Sequence, residues 1–265
     1  MNYPLAFAAL VFGYLINMFY ITVLFHRGFA HGSVALHPRT RKWAARTGSW
    51  VTGIDPKAWA CMHRLHHRHS DTPLDPHSPV QLGVFGVMFG QLRSYEKILV
   101  GLIRGKREYT EVVKDLDFEV SWLNRQGLWW IPYVLHAVLA LAIGALLHSG
   151  LVGLAYLVGI MSHPFQGWLV NSFAHHSGYQ NHANGDHSRN NTIVALLAMG
   201  EGYQNNHHAN PMSAKFSERW FEIDPGYGLC VVASYFGVLS IAKVLKRGAV
   251  STRPHSAEDR IEFAH

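Results

Sequence analysis

Nineteen histidines stand in this chain of 265 residues, and the ones placed to act together fall into four clusters. His26 and His31 stand in HRGFAH, and His63, His66 and His67 in HRLHH. His175 and His176 close NSFAHH, and His207 and His208 close QNNHH. On a helix, positions i, i+3 and i+4 share a face. His63, His66 and His67 therefore project three imidazoles together, and Gln204, His207 and His208 repeat that spacing. Neutral imidazole is the commonest metal ligand and suits iron, zinc and copper. About eight imidazoles can fill two ions, whereas a structural zinc takes four ligands. No cysteine enters a cluster and aspartates only flank them, so the set favours iron doing oxygen chemistry over a thiolate zinc site. The isolated His37, His136, His148, His163, His182 and His255 read as surface, turn or satisfied core residues. His69, His77, His176 and His187 stand beside the clusters without an assigned part.

The elements that carry these clusters follow from where the charges are. All 23 Lys and Arg and all 17 Asp and Glu fall between Arg27 and Arg125 or between Asp186 and Glu262. A helix rises ~1.5 Å per residue, so about 20 apolar residues cross a hydrocarbon core of ~30 Å. The uncharged stretches predict spans over about 3–25, 128–148 and 151–173, the last two joined by a tight turn at His148-Ser149-Gly150. The first is not a cleaved signal peptide: its apolar run is too long, it has no basic leader, and no small-x-small site follows. Arg27, Arg39, Arg41, Lys42 and Arg46 follow the first span, Arg104, Lys106, Arg107 and Arg125 precede the second, and the hairpin turn is uncharged. Basic loops stay in the cytoplasm, so the N-terminus faces out and all four clusters converge on the cytoplasmic face, in a bacterium that of the inner membrane. Orientation thus accounts for the formal net charge of +6 without nucleic acid.

Segments 43–61 and 225–242 are apolar but read as interfacial or buried helices, and the tail over about 249–265 as disordered. A disordered chain is excluded by 12% aromatic residues, and a disulfide-stapled domain by the distance in sequence between the two cysteines, Cys61 and Cys230. The expected fold is an all-α integral membrane protein forming a single domain over 1–265, with about three transmembrane helices and a cytoplasmic helical cap holding a di-metal site.

HRGFAH, HRLHH followed by SDTPLDPH, NSFAHH, GDHSRNN and GEGYQNNHH, in that order and spacing, resemble the membrane fatty acyl desaturases of the acyl-CoA type, over about residues 10 to 228. The resemblance implies a mushroom-like helical fold with two irons in the cap and a bent acyl channel beneath them. It implies His26, His31, His63, His66, His67, His175, His207 and His208 as iron ligands, with Asn171 holding a metal-bound water. It further implies O2-dependent removal of two hydrogens from adjacent methylenes of a long acyl chain, acyl-CoA with Δ9-like placement, leaving a cis double bond. Two departures stand out. The span leading into the first box lacks the hairpin partner that the family places before it. The family also usually has His where this chain has Gln204. Either the neutral amide ligates weakly, directly or through water, or an extra histidine such as His69, His176 or His187 takes the place.

Such a site needs acceptors to orient the ring N–H groups, and Asp71, Asp75, Asp186 and Glu201 are the candidates near the boxes. It also needs an apolar slot that fixes one methylene pair. Trp43, Trp50 and Trp59, with Trp122, Trp129 and Trp168, are candidates for its wall, each also suited to interfacial or core packing. No HPGG motif, four-cysteine iron–sulfur spacing or Rossmann glycine pattern occurs. Electrons must then come from a separate ferredoxin, rubredoxin or cytochrome b5-like donor. The stretch Arg93, Lys97, Arg104, Lys106, Arg107 suits an acidic donor, a carrier phosphate or anionic lipid equally. The rival readings are a lipid hydroxylase or other oxygenase on the same scaffold, and a histidine-rich metal transporter. The transporter would want its ligands at mid-membrane, where only His136 and His163 lie.

Overall fold

A computed structural model describes residues 2–241; the tail over 249–265 and the basic cluster Lys243, Lys246 and Arg247 lie outside them. Helix α1, Tyr3–Met18, starts with Pro4 inside its first turn and continues without a break into a wider helical segment, Phe19–Ala30. Together they run 28 residues and form the one helix among the described residues long and apolar enough to cross a membrane.

Helices α7, Ile131–Leu146, and α8, Gly150–Ile160, form the hairpin expected around His148 and Ser149, but both are shorter than that reading. The third predicted span is interrupted after Ile160. Helix α9, His163–Trp168, begins afresh there and widens over Leu169–Phe173. Pro164 explains the break: it has no N–H to continue the ladder, and its fixed φ suits the first turn of a new helix. Helices α1 and α8 meet backbone to backbone at small residues, as helices in an apolar medium do. A Cβ placed on Gly13 would lie 2.7 Å from the Tyr156 carbonyl oxygen.

The rest of the described chain is built from further helices: α2, Pro38–Thr52; α3, Pro56–His69; the 25-residue α4, Pro79–Ile103, broken at Gly83 by a φ of 70°; α5, Arg107–Thr110; α6, Trp122–Arg125; α10, Thr192–Leu197; α11, Gln204–Ala209; and α12, Pro225–Tyr235. The segment expected to be interfacial or buried near 43–61 thus becomes α2 and α3, divided at Gly53, whose φ of 78° closes the first. Asp55 then caps α3. Its Oδ1 accepts from the Lys57 and Ala58 backbone N–H groups at 2.9 and 3.0 Å, and its Oδ2 from the Ser121 N–H at 2.7 Å. That carboxylate fixes both the start of the HRLHH helix and the entry to α6. Strands β1, Val34–Leu36, and β2, Leu239–Ile241, pair antiparallel with Ala35 opposite Ser240, so the fold is mostly helical but not wholly so. The largest buried cluster, with Leu24, Phe25, Phe29, Ala58 and Cys61, lies where the end of the long helix crosses α3.

Candidate metal centre

Each histidine cluster owes its position to local backbone chemistry. Residues five apart on an α-helix stand about 140° apart around the axis, so His26 and His31 would diverge. The widened segment removes that divergence: the His31 N–H donates to the His26 carbonyl five residues back at 3.1 Å, and the two rings lie 4.9 Å apart. Helical turns of this kind are often found at functional sites. Helix α3 presents His63, His66 and His67, α11 presents His207 and His208, and His175 follows the widened end of α9.

The rings sort into two adjacent groups. Ring nitrogens of His26, His31, His63, His67 and His207 lie within 4.8 Å of one another, and those of His66, His175 and His208 form a second such group. In the first, His63 Nε2 stands 2.7 Å from His31 Nε2 and 3.0 Å from His67 Nε2, while His26 Nε2 and His207 Nε2 are 2.9 Å apart. In the second, the buried Nε2 atoms of His66, His175 and His208 have no partner among the described residues.

Carboxylates hold the far side of four rings. His66 Nδ1 donates to Asp75 at 2.9 Å, His175 Nδ1 to Asp71 at 3.1 Å, His208 Nδ1 to Asp186 at 2.7 Å, and His26 Nδ1 reaches Glu201 at 2.6 Å. An ionised carboxylate can only accept, so in each ring Nδ1 carries a hydrogen, which leaves Nε2 as the nitrogen that can bind a metal once the ring is neutral. Burial alone would raise Asp71, but the hydrogen bond and charge of His175 bring it down to about 2. Asp75 and Asp186 are held lower still against the same burial, by His66 and His208 respectively. Burial, followed by the charges of neighbouring rings, pushes His31, His63, His67 and His207 well below the usual imidazole range. They are neutral at physiological pH, the state that metal ligation requires. Ring nitrogens turned inward by carboxylates, three of them buried without a partner among the described residues and the fourth facing His207, fit a pair of imidazole-bound ions.

A cavity of about 650 Å³ adjoins the centre, within the usual range for a ligand site. Its apolar wall includes Met18, Ile21, Ile54, Leu99 and Ile103, and its polar wall includes His26, His63, His77, Asn171, Glu201 and Gln204. Of the tryptophans considered, Trp59 lines it, with its indole stacked on the His63 ring at 10° and 5.1 Å, and so does Trp129. Trp43 and Trp50 lie outside it, 47% and 40% exposed, because they occupy the outer side of α2. Trp122 is exposed as well, and Trp168 points its indole N–H to the Val84 carbonyl at 2.8 Å. Asn171 donates to Gln91 Oε1 at 3.3 Å. Gln204 is buried, with its amide nitrogen donating to the Glu201 carbonyl at 2.8 Å, and it lines the cavity beside the histidines. His69 is half-buried, and His176 and His187 are exposed.

The parts played by three residues had escaped the sequence reading. Arg27 had counted as one of the basic residues following the first span, yet it is fully buried. Its guanidinium donates to Glu201 at 2.9 Å and to Asp224 at 3.2 Å, and stacks 3.8 Å over the Phe216 ring. Asp224 serves twice, since it also caps α12 by accepting from the Tyr227 N–H at 2.8 Å. The only signal for either was the proximity of Arg27 to His26 in sequence. The third is His77, 1% exposed, beside His66.

A mostly helical protein with one long apolar helix, two groups of buried imidazoles and an apolar slot beside them is the framework of a metal-dependent oxidoreductase acting on an apolar substrate. Residues 2–219 match the fatty acid desaturase family, and the chain belongs to that family. It is 32% identical over 233 residues to an acyl-CoA 5-desaturase of Anemone leveillei, covering 86% of this chain and 68% of the relative. It is 30% identical over 244 residues to a hex-5-enoyl-[acyl-carrier protein] acetylenase of Moorena producens, covering 86% and 74%. It is 28% identical over 229 residues to an sn-1 stearoyl-lipid 9-desaturase of Synechocystis, covering 85% and 67%.

Proposed function

We propose that this chain is an O2-dependent desaturase that introduces a cis double bond into a long acyl chain, carried as acyl-CoA and oxidised at a Δ9-like position, at a two-iron centre. The observation that carries the reading is the convergence of two groups of buried imidazole nitrogens beside one apolar slot. The ligands are His26, His31, His63, His67 and His207 for one iron and His66, His175 and His208 for the other, with Asn171 holding a water. When bound, the irons supply the activation of O2 that removing two hydrogens from adjacent methylenes demands.

The chain's own residues do the rest. Asp71, Asp75, Asp186 and Glu201 fix the tautomer and rotation of four rings, so little reorganisation accompanies metal loading. Met18, Ile21, Ile54 and Leu99 exclude water from the slot and hold one methylene pair against the histidine wall, which sets where the chain is oxidised. The relatives whose names specify CoA, acyl-carrier protein and lipid carriers, and positions 5 and 9, define the alternatives to be distinguished. Electrons come from a separate ferredoxin, rubredoxin or cytochrome b5-like protein.

Expression in cells followed by gas chromatography of total acyl chains, with double-bond localisation, is expected to show a new cis-monounsaturated chain. A hydroxylated chain in its place would move the reading to an oxygenase on the same scaffold.

In this reading the long helix, the α7–α8 hairpin and the α8–α9 segment traverse the bilayer, with the histidine centre on the cytoplasmic side. The natural cysteines, Cys61 and Cys230, are both buried, so a single introduced thiol reports alone. Arg107, with its side chain 91% exposed, is the position to use. Arg107→Cys is expected to resist an impermeant maleimide in intact cells and to react after lysis. Ready labelling of intact cells would reverse the topology.

A further inference from the structure

Part of the slot's wall is buried and part lies at the surface. Met18, Val170 and Ala198 line it and are buried, whereas Leu92, Val100, Ile103, Trp129 and Tyr133 line it and are exposed. The exposed five belong to α4 and to the start of α7, so the slot opens between those two helices. The one charged side chain exposed at that opening is Glu96. A gap rimmed by five large apolar side chains is a poor doorway to water, and a contiguous exposed apolar patch marks contact with a membrane or a partner.

The outer surface of α4 says which. Phe85, Phe89 and Leu92 follow the four- and three-residue spacing of one helix face, and all are exposed, Phe85 to 77% and Phe89 to 67%. Arg93, Lys97 and Arg104, exposed as well, run along the adjacent flank. Charges at Arg93, Glu96 and Lys97 in the middle of α4 bar it from crossing a bilayer. An apolar row beside a basic edge is instead the pattern of a helix lying in the membrane surface, with the basic edge on anionic head groups. The row also continues onto a bilayer segment. The Trp168 indole of α9 donates to the Val84 carbonyl of α4 at 2.8 Å, and the Gln91 amide of α4 donates to the Pro164 carbonyl of α9 at 3.0 Å. Phe165 of α9 is exposed in its turn, with its ring 5.3 Å from that of Trp168.

We infer that the acyl chain enters the slot sideways from the bilayer, through the gap between α4 and α7, and that α4 lies in the membrane surface to keep that gap in lipid. The inference rests on the reading above, in which the slot is the acyl site and α9 traverses the bilayer. A chain dissolved in the bilayer then passes from lipid to slot without crossing water, while its carrier stays at the membrane surface. Arg93 and Lys97, which by sequence suit a donor, a carrier phosphate or lipid equally, are thereby given to anionic lipid.

The test follows a photoreactive chain and needs no turnover. The protein is reconstituted in vesicles of phosphatidylcholine and phosphatidylglycerol and mixed with vesicles that hold stearoyl-CoA bearing a mid-chain diazirine. Adducts are located by mass spectrometry over time. They are expected on Phe85 and Phe89 of the outer row, and then on Met18 and Ile21 inside the slot. Val100→Asp and Ile103→Asp each put a charge in the rim, on a side chain too short to lift it to water. Each should slow the inner adducts about tenfold and leave those on Phe85 and Phe89 unchanged, which also shows that the variant is folded in the bilayer. Labelling of α1 and α7 with none on the outer row would take α4 out of the lipid and overturn the inference. Inner adducts that form at the wild-type rate in both rim variants, or a wild type labelled outside and never inside, would overturn it too. Inner adducts that depend on the rim, in a protein that makes no unsaturated product, would leave the entry route standing and remove the desaturase reading.

Discussion

His67→Ala and His208→Ala are each expected to take desaturation to background, a loss of more than about 100-fold, while the chain stays in the membrane fraction. His67 Nε2 stands 3.0 Å from His63 Nε2 in the five-ring group, and His208 Nε2 is a buried, partnerless atom in the other. Alanine removes the donor without introducing charge. The two changes should differ in metal content. Four imidazoles remain in the first group after His67→Ala, so its ion should bind more weakly but still bind. The second group is poorer, and His208→Ala should release its ion. Asp186→Ala leaves the His208 ring in place but frees its Nδ1, so it should lower affinity at the same ion by about 10–100-fold without abolishing binding. Iron analysis of the three purified variants, with acyl-chain profiles of the cells that made them, checks the series. An alanine variant that still makes near-wild-type amounts of unsaturated product removes that histidine from the ligand set.

What could be read from the sequence was what repeats locally. The i, i+3, i+4 spacing of His63, His66 and His67 is a property of one helix, and the uncharged run to Phe25 is a property of composition. The division of the rings between two groups is not local. His207 and His208 are neighbours in sequence, yet one joins the group of five and the other the group of three, because adjacent helical positions diverge by about 100° and the two rings meet different faces of the α3 histidines. The His26–His31 approach depends on a widened helix that no residue in HRGFAH announces. Arg27 was misleading for a physical reason: a charge just past an apolar span ordinarily marks the membrane border, whereas this one is folded inward by Glu201 and Asp224, distant in sequence. His77 could be placed beside the clusters but given no part, because its neighbour, His66, is brought to it by the turn that Asp75 organises. Trp43 and Trp50, attractive by type, lie outside the slot because their helix turns them away from it.

Glu201→Ala is expected to be the most destabilising single change at the centre. The Glu201 carboxylate holds His26 Nδ1 at 2.6 Å with one oxygen and Arg27 at 2.9 Å with the other, and Thr22 also donates to it. Arg27 has a fully buried side chain, so removing one of its two carboxylates leaves a guanidinium paired with Asp224 alone. Breaking a buried ion pair from one side typically costs about 3–5 kcal/mol, on the order of 10 °C in Tm for a chain of this size. The same change frees His26 to adopt either tautomer, which should weaken the ion of the five-ring group. Burial acts to raise the Glu201 carboxyl, but the charges of His26 and Arg27 outweigh it and hold it below the usual carboxylate range. A depressed native pKa means that the unfolded chain takes up protons first as pH falls. The contribution of Glu201 is therefore complete above the ordinary glutamate value of about 4.3 and is lost as pH drops through the lower native one. Wild type and Glu201→Ala should accordingly differ fully at pH 7 and converge in acid. Glu201→Gln separates the two roles, since its amide oxygen can still accept from Arg27 while the negative charge that favours His26 Nδ1–H is gone. It should recover part of the lost Tm and little of the lost metal affinity. Thermal unfolding in detergent with and without added iron, across pH, reads both quantities. A Glu201→Ala protein that melts with wild type and keeps its iron against a chelator would mean that Arg27 and His26 are held by other groups.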